Sequence, residues 1–467
     1  MPERVRKAAK AAAGAGPHEK YEAGKALRTA VPRESHAELQ PKRAKSPIEI
    51  LRASDAGRLE ELLWIRYARM ASSPFAFYRG AAAVMAYDLA PTPATGLRVQ
   101  LCGDAHLMNF GGFGTPERNL IFDINDFDET LAGPWEWDVK RLAASVAIAA
   151  NQQEHRRKDK DAAVLGAVRA YREAMRAYAA MPAVEIWYSR IDATTLVREV
   201  VSGIARSKLK QLELRLRKRT SSYVFPKLTR VVDGQLRIVD DPPLIFHQTS
   251  QVSAGELRSV LETYRASLPP DRQLLFDRYR FVDYALKVVG VGSVGTRCYI
   301  GLFMASHDDP LILQAKEARD SVLAPYCGAS PFANAGERVV VGQRVMQAGS
   351  DIFLGWTQFA EEGGRTVDYY MRQLRDMKTS ANVEGMTPPE FARYVQFCGH
   401  ALARAHAKSG EPATIAGYLG NGAAFDRALL HFADAYAELN LADHGALLHA
   451  IANRIVPTKP DGAAEET

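Results

Sequence analysis

Cysteine is scarce and scattered: four residues in 467, at positions 102, 298, 327 and 398, with no CxxC pair and no metal-finger spacing. That usage excludes a disulfide-built scaffold and is the one expected of a reduced, cytoplasmic protein. Long hydrophobic runs are also lacking. The longest candidate, residues 142–150, falls far short of the roughly 18 apolar residues of a membrane span and reads as a core helix. No membrane partner is expected. The first residues carry charge and alanine but no apolar stretch of the secretory kind. Internal repeats are absent.

An excess of one charge is lacking as well, once its position is considered. Residues 1–45 carry 11 Lys and Arg against five Glu, which accounts for the whole formal charge of +6. The remaining 422 residues hold 49 basic and 49 acidic side chains. A nucleic-acid partner is therefore expected only through the basic N-terminal tail. What is present is 47% hydrophobic content over a length that allows two or three lobes.

Composition and periodicity divide the chain into a flexible basic tail (1–45), a segment of helices and short strands (46–157), a mainly helical segment (158–275), a strand-rich segment (276–375), a helical segment (376–455) and a frayed C-terminus (456–467). Asp233-Gly234 between alternating apolar runs predicts a β-hairpin inside the second helical stretch. Residues 208–219 combine six basic residues with Leu209, Leu212, Leu214 and Leu216, which reads as a solvated amphipathic face or an anion-binding patch. The segment around Arg66, Arg69 and Arg79, rich in Phe and Tyr, either packs beneath a functional loop or lines a pocket for an anionic or aromatic substrate.

The densest chemistry is Gly103-Asp-Ala-His-Leu-Met-Asn109, entered from an apolar strand, followed by a second apolar strand, Leu120 to Ile124, that delivers Asp126 and Asp128. Oxygen donors at the ends of two adjacent strands suit a hard cation such as Mg²⁺. Asp104 is placed to orient a hydroxyl and take its proton, with Asn109 and Asp126 holding the metal beside a transferring phosphate. Asp123 and Asp128 read as further metal ligands or as solvated neighbours. His106 reads as a hydrogen-bonded brace of the loop or as a catalytic proton carrier beside Asp104. A metallohydrolase built on Asp104, His106, Asp123 and Asp126 uses the same residue types.

A second constellation is Gly290-Val-Gly292-Ser293-Val-Gly295, followed by an apolar and aromatic stretch, residues 297–304, that reads as a strand. A dinucleotide fold needs a helix at that point. Strand, glycine loop, strand is instead the arrangement that lays backbone N–H groups over phosphates, and it predicts a lysine on the next strand. Lys316 fills that place. Glu337, opening the apolar stretch 337–346, is the expected carboxylate partner of Lys316 in preference to Glu317.

The run Gly103-Asp104-x-His106-x-x-Asn109, then Asp126-Phe127, then Pro134 and Asp138, resembles the protein-kinase-like superfamily, above all the aminoglycoside phosphotransferase and choline kinase branch. The resemblance implies Asp104 as catalytic base, Asn109 and Asp126 as metal ligands, and His106 and Asp138 as loop supports. The chain order differs from that branch, because Lys316 lies 212 residues after Asp104. Leu402-Ala-Arg-Ala-His406 resembles the helix that usually precedes the catalytic loop, so circular permutation restores the order. The fold expected is α+β, two-lobed, protein-kinase-like and circularly permuted.

Residues 66–80, 103–111, 126–129, 135–142, 342–344 and 402–410 resemble the uncharacterised bacterial domain-of-unknown-function family 2252. Val341 stands where that family is expected to have Glu. The activity implied by the kinase-like resemblance is ATP- and Mg²⁺-dependent phosphotransfer to a hydroxyl of a small molecule. Protein adenylylation on the same fold, a catalytically inactive nucleotide-binding regulator and a nucleic-acid binder acting through the tail are the alternatives.

Overall fold

The computed structural model describes residues 14–39, 43–200, 221–248, 253–360, 365–374 and 379–459. The basic leucine-rich stretch 208–219 and the first 13 residues of the tail lie outside them. The fold is mixed α+β. Among the described residues no helix is long and apolar enough to cross a membrane.

A helical trunk forms around Trp135–Gln152, an 18-residue helix buried on nearly every side. Its later part, a run of Ala, Val, Leu and Ile, offers no polar face to water, and Glu136, Asp138, Lys140 and Arg141 of its first turns are buried as well, so it is central. Arg157–Ala179, Pro388–Ser409 and Ala424–Ala452 pack round it. Arg157–Ala179 buries Ala163, Ala167, Tyr171 and Met175, spaced four residues apart, so it belongs to this trunk. Residues 158–275, which read from periodicity as one mainly helical segment, therefore do not form one unit. Their early helix joins the trunk, while Ala254–Ser267 lies on the large sheet.

That sheet has six antiparallel strands in the order Gly355–Ala360, Thr366–Gln373, Asp309–Ala318, Cys298–Ser306, Arg280–Lys287 and Ile245–Phe246. Along Asp309–Ala318, Leu311 and Leu313 pack with Tyr264 and Phe276 on one face. Ile312 packs with Ile300, Leu302 and Ile238 on the other. Burial on both faces explains why 311–313 reads as a continuous apolar run rather than an alternating one. By the same alternation Lys316 shares the face of Ile312. The hairpin Thr229–Val232 with Gln235–Ile238 closes through Asp233-Gly234.

The two functional strands are not neighbours, contrary to the reading of the sequence. Arg98–Leu101 pairs with Leu131–Pro134, and Leu120–Ile124 pairs with Phe110–Gly114 in a separate sheet. Leu120–Ile124 finds its partner just before it in the chain, whereas Arg98–Leu101 pairs with a strand that lies beyond both. Side-chain bonds, rather than a shared ladder, bring their ends together.

The basic tail needs a correction. Pro17–Ala26 is a helix that docks on Pro412–Leu419, and the chain stays packed through the 3₁₀ turn Arg33–Ala37. Arg28 Nε donates to Tyr418 O at 2.9 Å and Arg33 Nη1 to Leu419 O at 3.0 Å. These are the last carbonyls of the helix Pro412–Leu419, which have no partner within it. Arg43 pairs with Asp88 and Asp443. Much of the tail's positive charge is thus engaged in the fold. Val456 is likewise buried, so the C-terminal segment is packed at its start.

A Cβ on Gly24 would lie 1.9 Å from Thr414 O, a backbone atom that cannot yield. Gly24→Ala should therefore unseat residues 17–39, the strap that lies on Pro412–Leu419, lowering stability by about 1–3 kcal/mol. Limited proteolysis reads the outcome as faster cleavage within residues 17–39. Unchanged cleavage and midpoint would show that the strap contributes nothing.

Candidate functional site

Asp104 follows a sharp turn at Gly103, where φ is +83° and a Cβ would meet Glu129 O at 2.3 Å. Only glycine fits there. Asp138, in the first turn of the trunk helix, accepts from the backbone N–H groups of Cys102 (2.7 Å) and Gly103 (3.0 Å). His406, fully buried on Pro388–Ser409, lies 3.2 Å from Asp138 Oδ2 and 2.9 Å from Tyr171 Oη. The loop is thus anchored to two trunk helices.

Asp104 itself is held by Arg141, whose Nε and Nη2 reach Oδ1 at 2.7 and 2.5 Å. Arg141 is buried, stacks on Tyr78 at 4.1 Å and donates to Tyr78 O at 2.9 Å. His106 Nε2 lies 3.6 Å from Asp104 Oδ2. Burial pushes the His106 imidazole down to about 4, so it is neutral at pH 7 and carries no charge into the loop.

Asn109 ties the two loops. Its Oδ1 accepts from Asp126 N–H at 2.6 Å, and its Nδ2 donates to Asp104 O and Asp126 O, both at 3.0 Å. Its amide is thus largely engaged in holding Asp126 in place. Asp123 is turned away from the cleft. Fully buried, it pairs with Arg404 at 2.6 Å and accepts from Ala348 N–H at 2.9 Å. That corrects the reading of Asp123 as a metal ligand.

The glycine loop links Arg280–Lys287 to Cys298–Ser306, and Lys316 sits opposite Cys298 on the next strand. Gly290 and Gly295 take positive φ, 70° and 87°. Lys316 Nζ pairs with Asp128 Oδ2 and lies 3.6 Å from Asp126 Oδ2. Burial works against its charge, but Asp126 and Asp128 hold it well above the ordinary lysine range. Ser293 Oγ donates to Asp128 Oδ2 at 3.1 Å, and Tyr370 Oη to Oδ1 at 2.7 Å.

Glu337 is not brought to Lys316. It opens the helix Ala335–Met346, where its backbone N–H caps on Asn334 at 3.0 Å. The next residue, Arg338, is the one turned inward, donating to Asp128 O and Arg319 O at 2.7 Å each. A helix advances about 100° per residue, so the neighbour of an inward-facing side chain points elsewhere. Glu317 pairs with Arg297 instead.

The loops and the sheet face each other across one cleft of about 330 Å³, lined by Asp104, His106, Asn109, Asp126 and Asp128 on one side and Gly290, Gly292 and Ser293 on the other. Arg141, Arg338 and Tyr370 were not read as functional from the sequence. A charged residue inside the apolar trunk helix is the signal that could have exposed Arg141.

No group of three His, Cys, Asp or Glu residues among those described is set to hold a metal ion. Two carboxylates, Asp126 and Asp128, do converge on the single cationic position of Lys316 Nζ. One or two carboxylates, completed by water and phosphate oxygens, is how Mg²⁺ is held at nucleotide sites, so the donor set fits.

No curated protein and no solved structure matches the chain. Residues 58–450 match the family described as an uncharacterized protein conserved in bacteria (DUF2252), and the chain belongs to that family.

Proposed function

We propose that the protein is an ATP- and Mg²⁺-dependent phosphotransferase acting on a hydroxyl of a small molecule, on a circularly permuted kinase-like fold. One observation carries this reading. The glycine loop and the acidic loops, 165 residues apart in the chain at Ser293 and Asp128, meet across one cleft, and the buried Lys316 pairs with Asp128 behind it. The contact between His406 and Asp138 supports the permutation, because it seats the helix Pro388–Ser409 behind the Asp104 loop.

In this reading the backbone of Gly290–Gly295 covers the phosphates of ATP, and Lys316, kept charged, binds them. Asp126 and Asp128 would hold Mg²⁺, which neutralises charge on the transferring phosphate. Asp104, fixed by Arg141, orients the acceptor hydroxyl and takes its proton.

The test is the thermal midpoint with ATP and Mg²⁺ for wild type and Asp126→Ala. A ligand at a hundredfold excess over Kd stabilises the folded state by about 2.7 kcal/mol. The wild type should show that shift and the variant should lose it. Asp126 is 43% exposed, so its removal leaves the fold intact. Retained Mg²⁺-dependent affinity in Asp126→Ala, or no shift in the wild type at millimolar ATP, overturns the reading.

A further inference from the structure

Four arginines round the cleft each have a side-chain hydrogen bond or ion pair, although Nε of Arg66 and of Arg338 is itself buried without a partner among the described residues. Arg58 donates to Val294 O at 2.6 Å, Arg66 pairs with Asp55 at 2.6 Å, Arg141 holds Asp104 and Arg338 braces Asp128 O. Arg79 lines the same cleft, yet its Nε is fully buried with no hydrogen-bond partner among the described residues. Burial pulls its guanidinium below the ordinary arginine range, and the carboxylates whose charge it feels are Asp104 and Glu384.

Arg79 is also held in place. It closes the short helix Pro74–Gly80, and the carbonyls on either side of it are pinned by buried arginines: Tyr78 O by Arg141 at 2.9 Å and Gly80 O by Arg66 at 3.4 Å. The glycine loop rests against it, since a Cβ on Gly292 would lie 3.4 Å from Arg79 O. A partly buried guanidinium carried on a fixed backbone is a fork for a planar or tetrahedral oxyanion.

We propose that Arg79 binds an anionic group of the acceptor, a phosphate monoester or a carboxylate, next to the hydroxyl that Asp104 orients. The inference rests on the phosphotransferase reading for the word acceptor, while the anion site stands on the geometry of Arg79 alone. A cationic acceptor of the aminoglycoside or choline kind would meet a like charge there.

The probes are glycerol 3-phosphate, glycerate and neutral glycerol, titrated into wild type, Arg79→Ala and Arg79→Lys with and without ATP and Mg²⁺. Wild type should bind at least one anionic probe and not glycerol, and which one binds separates phosphate from carboxylate. Arg79→Ala should weaken that binding about tenfold or more, the effect of losing hydrogen bonds to a charged group. Arg79→Lys, which keeps the charge without the fork, should recover part of it and serves as the readout if the alanine variant does not fold. ATP–Mg²⁺ affinity should be unchanged in both variants.

Equal anion binding in the variants, or no anion binding by the wild type at millimolar probe, overturns the inference. A loss of ATP–Mg²⁺ affinity in the variants assigns Arg79 to the nucleotide and also overturns it. Anion binding lost in Arg79→Ala, with no ATP–Mg²⁺ binding by the wild type, upholds the anion site while the phosphotransferase reading falls.

Discussion

Asp104→Asn should stop turnover of ATP while leaving its binding intact. Asparagine keeps the shape of the side chain but cannot take a proton, and loss of general-base assistance lowers rates by about 10²–10⁴-fold. The nucleotide contacts assigned to Lys316 and the glycine loop lie on the sheet side of the cleft, so affinity for ATP–Mg²⁺ should hold. A second effect follows from the geometry. Arg141, 3% exposed, would lose the carboxylate that balances its charge. Because Asp104 is itself 22% exposed, water softens that loss to about 1–3 kcal/mol. Product mass and single-turnover rate, read with the unliganded midpoint, separate the two effects. Full turnover in Asp104→Asn would remove Asp104 from the chemistry, and the mass added to the product distinguishes phosphoryl from adenylyl transfer.

Asp123→Ala should have the largest effect on stability, about 3–5 kcal/mol, the cost of leaving one member of a fully buried ion pair alone. The side chains of Asp123 and Arg404 are both 0% exposed, and no water can replace the lost carboxylate. The backbone N–H of Ala348 would lose its acceptor too. Urea denaturation of Asp123→Ala and of the double variant Asp123→Leu/Arg404→Met checks this. The double variant should recover much of the loss, because it removes both charges together. A single variant as stable as wild type would show the pair to be dispensable. ATP–Mg²⁺ binding by whatever folded protein remains should be unaltered, since Asp123 faces Arg404 and not the cleft.

Features set by near neighbours were legible in the residues. The Asp233-Gly234 hairpin, the strands on either side of the glycine loop and the position of Lys316 on a strand all depend on turn chemistry and alternation over a few residues. The grouping of Asp104, Asn109 and Asp126 was legible for the same reason, through spacing over 23 positions. The tail was misread because its composition describes how residues 17–39 behave alone, whereas Gly24 and Arg28 act only against Pro412–Leu419. Glu337 was misread because a residue's place in a helix does not reveal which neighbour faces inward.

By itself, then, the sequence determined the mixed α+β character and the local turns, which arise from interactions between near neighbours in the chain. The tertiary structure alone decided the partners: Asp128 for Lys316 across 188 residues, Arg404 for Asp123 across 281, Arg141 for Asp104, and no described partner for the buried Nε of Arg79. The physical reason is that a buried charge pairs with whichever opposite charge packing brings within reach, and no periodicity in the chain encodes that distance.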